Sequence, residues 1–147
     1  MTHPTHPTES GCSLVRRAVT APATRTIVLL GLCAAYIQGA LTKIFDFNSA
    51  IAEMEHFALH PAAIFTIAVV IFELTTSAMV VSGWMRWVGA LALAGFTILA
   101  TFVALRFWEL PAGMHRAMAT NAFFEHLGLA SAFVIVAAID LTKGTGK

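Results

Sequence analysis

Glu73 lies in the middle of an apolar run, Ala62 to Gly83, that is long enough to cross a bilayer. A carboxylate there costs about 2.5–3.5 kcal/mol on insertion scales unless it is paired, protonated or facing water. Other polar groups interrupt similar runs. Gln38 and Lys43 fall in Thr26 to Phe47, Glu125 and His126 in Asn121 to Leu141, and Arg106 near the end of Arg86 to Trp108. Ionisable groups inside a membrane mark the places where function is to be sought. The candidate catalytic residues are Glu73, Glu125 and Lys43. Gln38, His126 and Arg106 are candidates for lining a binding site.

A rise of ~1.5 Å per residue sets approximate depths along a helix. Glu73 and Gln38 fall near the midplane of their runs. Lys43 falls about 6 Å, and Glu125 roughly 6–9 Å, inside the outer ends of theirs. Matching depth predicts a Lys43–Glu125 charge pair, with Gln38 hydrogen-bonding Glu73 below it. His126 points about 100° away from Glu125 around the helix, so one partner cannot serve both. The same groups also fit a purely structural role. Buried polar residues hold membrane helices in register, and Lys43 and Arg106 can snorkel to the surface.

The elements that must position these residues follow from hydropathy. Of the 147 residues, 58% are hydrophobic and 12% charged, against roughly 25% charged in soluble domains. The four apolar runs each hold roughly 21–23 residues, and a spanning helix needs ~20. Lipid leaves no backbone group unpaired, so the runs are helices, and an all-α membrane four-helix bundle is expected. Between the first two runs, Ile51, Met54, Phe57 and Ala58 recur at helical spacing within Asn48–Pro61. That pattern predicts a short amphipathic helix at the membrane surface.

Small residues predict the inward faces. On the first helix they are Gly31, Ala35 and Gly39, continued by Lys43. On the third they are Ala90 and Ala94, continued by Thr97 and Thr101. On the fourth, Asn121, Glu125, Gly128 and Ala132 share one face. Asp140 reads as a residue at the inner boundary. Residues 1–24 lack apolar periodicity and are expected to be a disordered tail, with residues 25–143 as the membrane domain and 144–147 as a C-terminal tail. Lys and Arg counts favour both termini in the cytoplasm, Trp84 and Trp87 at the inner boundary, and Trp108 at the outer one.

Several functions are disfavoured. A net charge of +1 without a basic patch gives no reason to expect nucleic acid. Two cysteines at different depths make neither a disulfide framework nor a metal pair. His3 and His6 fit a chance His-Pro repeat in a solvated tail. No phosphate loop, dinucleotide fingerprint, Cys-x-x-Cys or nucleophile elbow occurs. No metal site is expected, nor ligands for a resident cofactor.

Some segments are similar to a known family. They are Gln38-Gly39-Ala40-Leu41-Thr42-Lys43, Glu73 with the later Gly83-Trp84-Met85-Arg86 turn, Arg106-Phe107-Trp108-Glu109, and Asn121-Ala122-Phe123-Phe124-Glu125-His126-Leu127-Gly128-Leu129. In this order, across Arg25 to Leu141, they resemble the DoxX family of small bacterial membrane proteins. The resemblance implies a four-helix inner-membrane protein associated with redox complexes. In such complexes related subunits pass electrons to quinone.

Two functions then compete. One is a membrane subunit of a quinone-linked oxidoreductase complex, with quinone as bound substrate. Glu73 or Glu125 would handle protons, Lys43 would polarise a carbonyl, and Gln38, His126 and Arg106 would line the site. Electrons would come from an oxidoreductase partner subunit. The other is a non-enzymatic scaffold or anchor for a partner protein. The lipid bilayer is a partner under both, and a homo-oligomer is compatible with both. A transporter fits less well, because four spans are few and no repeat or broken helix is evident.

Overall fold

The computed structural model describes residues 7–144. Its regular elements are α1 (Pro7–Thr20), α2 (Pro22–Phe45), α3 (Phe47–His56), α4 (Ala62–Ser82), α5 (Arg86–Ala104), a 3-10 turn (Phe107–Glu109) and α6 (Met114–Gly144). Among the described residues, four stretches are long and apolar enough to cross a membrane: α2, α4, α5 carried on through the 3-10 turn, and α6. The all-α membrane architecture expected from hydropathy is therefore present. The chain divides into two compact units, with the boundary after Leu32 inside α2.

The first unit holds α1 and the start of α2. Composition predicts no regular structure before Arg25, yet Pro7–Thr20 is helical. Within it, Leu14, Val15, Ala18 and Val19 share one side of a helix with 3.6 residues per turn, and Ser13, Arg16, Arg17 and Thr20 share the other. Counting Pro, Thr and His along the segment hides this spacing. The Thr24 hydroxyl donates to the Ala18 carbonyl at 2.7 Å, which ties the corner between the helices. Pro22 opens α2 in the first turn, where its missing N–H costs nothing. His3, His6 and Lys147 lie outside the described residues.

In the second unit α5 packs against both α4 and α6. Gly89 permits the close approach to α4. A Cβ added there would sit 2.8 Å from Met79 Cβ and 2.9 Å from the Thr76 carbonyl oxygen. Ala90, Ala94, Thr97 and Thr101 are buried, as their spacing predicts. Thr97 and Thr101 donate to the carbonyls of Leu93 and Thr97, both at 2.6 Å, so burying these hydroxyls leaves no donor unpaired.

The predicted inward face of α6 is corrected, and that of α2 holds only at its Gly39–Lys43 end. On α2, Gly31 and Ala35 are exposed, and the buried residues from Cys33 onward are Cys33, Tyr36 and Ala40. Tyr36 shares a short hydrogen bond with Thr97 and sets its ring against Phe133 with centroids 5.6 Å apart. A large aromatic residue, not a small-residue stripe, makes this contact. On α6, Asn121, Glu125 and Gly128 are exposed and Ala132 is half-buried, while Phe123, Ala130, Phe133 and Ala137 are buried. Phe123 meets the rings of Phe102, Phe107 and Trp108 at 5.5, 5.3 and 6.0 Å. Burying these rings turns α6 so that its polar face points out.

The connections are built from local chemistry. Gly83 takes φ 90° to end α4, a conformation that favours glycine. Arg86 folds back over that end, its Nε donating to the Val80 carbonyl at 2.6 Å. Arg86 Nη1 also lies 3.6 Å from Asp140 Oδ1. Asp140 is therefore an ion-pair partner linking α6 to the α4–α5 turn, not merely a boundary residue. The amphipathic helix is present as α3. Ala50 and Met54 are buried, and the Thr66 hydroxyl reaches the Ala50 carbonyl at 3.4 Å. Phe57 and Ala58 fall beyond its end. Trp84, Trp87 and Trp108 are all exposed, the first two at the α4–α5 turn and the third at the far end of α5.

Two outcomes follow. Gly89→Ala should destabilise the protein by about 1–3 kcal/mol through overpacking. Gly31→Ala, with nothing within 4 Å of the added carbon, should be near neutral, and thermal unfolding in detergent compares them. Asp46 caps α3 by accepting from the Ser49 N–H at 3.2 Å. The Ser49 hydroxyl and N–H hold its carboxyl below the usual value. A lowered folded pKa means the cap stabilises α3 at neutral pH and is lost as pH falls through that value. The protection of α3 amides, after correction for the intrinsic exchange rate, should therefore fall on acidification, and Asp46→Ala should abolish that pH dependence.

Candidate functional site

Lys43 in the last turn of α2 and Glu73 near the middle of α4 come together. Lys43 Nζ lies 3.6 Å from Glu73 Oε2, with the side chains 15% and 7% exposed. The separation is that of an ion pair without a direct hydrogen bond. Glu73 Oε2 is buried and makes no hydrogen bond, and neither does the buried Ser77 hydroxyl one turn further along α4. The fully buried Cys33 thiol lies beside Ser77. Gly39, one turn before Lys43, leaves the flank of the pair open. A Cβ there would stand 3.5 Å from Lys43 Nζ and 3.8 Å from Glu73 Oε2.

This arrangement replaces the expected Lys43–Glu125 pair. Glu125 lies on the exposed face of α6, and Phe123 takes the inward position. Gln38 does not reach Glu73. It is exposed and donates to the Thr42 hydroxyl at 2.9 Å, one turn along its own helix. His126 is half-buried, with Nδ1 2.6 Å from the Ala122 carbonyl oxygen of its own helix. Arg106 is exposed and pairs with Glu109 at 3.2 Å. Of the six candidates, only Lys43 and Glu73 meet.

Arg106 does line a separate cavity of about 320 Å³ with His56, Phe57, Ala58, Phe102 and Val103. Tyr36, Ser77 and Cys33 were not apparent as site residues. Each is a single polar or sulfur-bearing residue in an apolar run, and only their helical spacing with Gly39–Lys43 or Glu73 hints at a shared face. Among the described residues no three His, Cys, Asp or Glu side chains gather as a metal set. The pair can hold opposite charges in a dry site, offer an ammonium donor beside a free carboxylate oxygen, and exchange a proton.

Breaking a buried pair costs more than removing it whole. Lys43→Met leaves the deeper Glu73 unpartnered and should cost ~3 kcal/mol. Glu73→Gln should cost less, since Lys43 is nearer a helix end, and the double substitution should recover most of the loss. A double-mutant cycle by thermal unfolding measures the coupling.

The DoxX family model matches residues 26–106. No curated protein and no solved structure matches the chain. The matched segment takes in most of α2, then α3, α4 and α5, with Lys43 and Glu73 inside it. It ends at Arg106, so the resemblance read at Asn121–Leu129 lies beyond it. With more than half its length matched, and with four helices able to span a membrane, the chain is a membrane protein that belongs to the DoxX family.

Proposed function

We propose that this protein is a membrane subunit of a quinone-linked oxidoreductase complex and that the Lys43–Glu73 pair is its proton-handling site. The observation that carries the reading is a buried ion pair whose carboxylate keeps an unsatisfied oxygen. A lipid-embedded charge pair needs a reason to persist, and membrane proton relays are built from such groups. Reducing a quinone to a quinol takes two electrons and two protons. The electrons would come from a reducing partner subunit. Lys43 would hydrogen-bond a ring oxygen, and the Glu73 carboxylate would take a proton from the aqueous phase and pass it to the reduced ring, once for each of the two protons. Gly39 leaves room on that flank. Placement in a bacterial inner membrane, with both termini cytoplasmic, belongs to the same proposal.

A second reading, a non-enzymatic anchor, draws on Glu125. Its carboxylate is exposed on a candidate membrane-spanning helix. Such a group is expensive against lipid and cheaper against a partner helix.

The two readings separate in one set of variants. In the complex purified with its partner, Glu73→Gln should lower quinone reduction by about 10²-fold or more, with assembly unchanged. Glu125→Gln should leave turnover intact. Full quinone reduction by a normally assembled Glu73→Gln protein, or no quinone binding to the purified chain, would overturn the redox proposal. Loss of the partner on Glu125→Gln, with indifference to Glu73→Gln, would establish the anchor.

A further inference from the structure

α1 is a helix with no role in the site, and it precedes the residues that match the family model. From Cys12 to Thr20 every residue is exposed. Leu14, Val15 and Val19 are 65%, 64% and 65% exposed, and with Cys12 and Ala18 they occupy one continuous side. Ser13, Arg16, Arg17 and Thr20 occupy the opposite side. An apolar face open from Cys12 to Val19 needs an occupant.

We propose that α1 lies in the headgroup region of an anionic bilayer, with Leu14, Val15, Ala18 and Val19 toward the acyl chains. Two features select lipid over a protein groove. First, Ala21 alone separates α1 from α2, a candidate membrane-spanning helix. One residue extends the chain by at most about 3.6 Å, so α1 starts from the membrane boundary. The Thr24–Ala18 hydrogen bond ties that corner. Second, the polar side carries Arg16 and Arg17, and Arg25 follows in the first turn of α2. An apolar face of leucine, valine and alanine is modest in area, so attraction to anionic headgroups supplies the second signal that stable surface binding requires. α1 thus becomes a charge-sensitive contact between this domain and its leaflet.

The test uses the full chain in vesicles of phosphatidylcholine, with and without phosphatidylglycerol. Nitroxide labels are placed singly by Val15→Cys, Val19→Cys, Ser13→Cys and Thr20→Cys in a Cys12→Ser background, where the remaining Cys33 is buried. With phosphatidylglycerol, labels at 15 and 19 should become accessible to oxygen and shielded from an aqueous nickel chelate. Labels at 13 and 20 should stay aqueous. Neutralising Arg16 and Arg17 to Gln should weaken the docking of α1 on the anionic surface, read as the ratio of lipid-immersed to aqueous label at position 15, by about fivefold each, since an arginine near an anionic leaflet contributes ~1 kcal/mol. Labelling native Cys12, with no substitution in α1, guards against a helix disrupted by mutation, and this label should follow positions 15 and 19. Equal water exposure on all sides, or indifference to phosphatidylglycerol, would overturn the proposal. So would burial of positions 15 and 19 against protein in both lipids.

Discussion

The Lys43–Glu73 pair exposes the constraint on which this membrane domain is built. Lipid supplies no hydrogen bonds, so each polar group carried into it must be answered from within the protein. The bundle meets that demand in three ways. Thr66, Thr76, Thr97 and Thr101 return their hydroxyls to carbonyls of their own helices. Arg86 spends its guanidinium on the carbonyl end of α4 and on Asp140. Glu73 takes a cation from another helix, Lys43, and still keeps an oxygen without a hydrogen bond. Glu73 and the neighbouring Ser77 hydroxyl are the incompletely bonded polar groups among the described residues of the interior, and Glu73 is the ionisable one.

The two ion pairs do different work. Arg86 and Asp140 join a turn to a helix end, and Arg86 is held further by a backbone carbonyl. That pair is a clasp. Lys43 and Glu73 join α2 to α4 without such reinforcement, and Gly39 sets its backbone rather than a side chain beside them. An incompletely bonded pair keeps a carboxylate oxygen able to accept a further hydrogen bond.

Aromatic packing decides which helix faces turn inward. Small-residue spacing is a fair guide where backbones touch, as at Gly89, Ala90 and Ala94 on α5. It misleads where a ring fills the gap. Tyr36 makes the α2 contact, and Phe123 and Phe133 make those of α6. Each ring claims the inward position and turns the neighbouring polar residues away. Glu125 is exposed for that reason, although counting residues along the helix suggests a partner for Lys43.

Hydropathy and run length by themselves determined the four spanning helices, their order and the short helix before α4, because lipid admits so few backbone solutions. They also identified Glu73 and Lys43 as costly insertions that need partners. A helical α1 was legible only in the positions of four apolar residues and was masked by a tail-like composition. The pairing of Lys43 with Glu73, the outward turn of Gln38 and Glu125, and the Arg86–Asp140 clasp were decided only by the tertiary structure. Depth along a helix follows from counting residues, but rotation about its axis follows from which bulky side chains find room between helices.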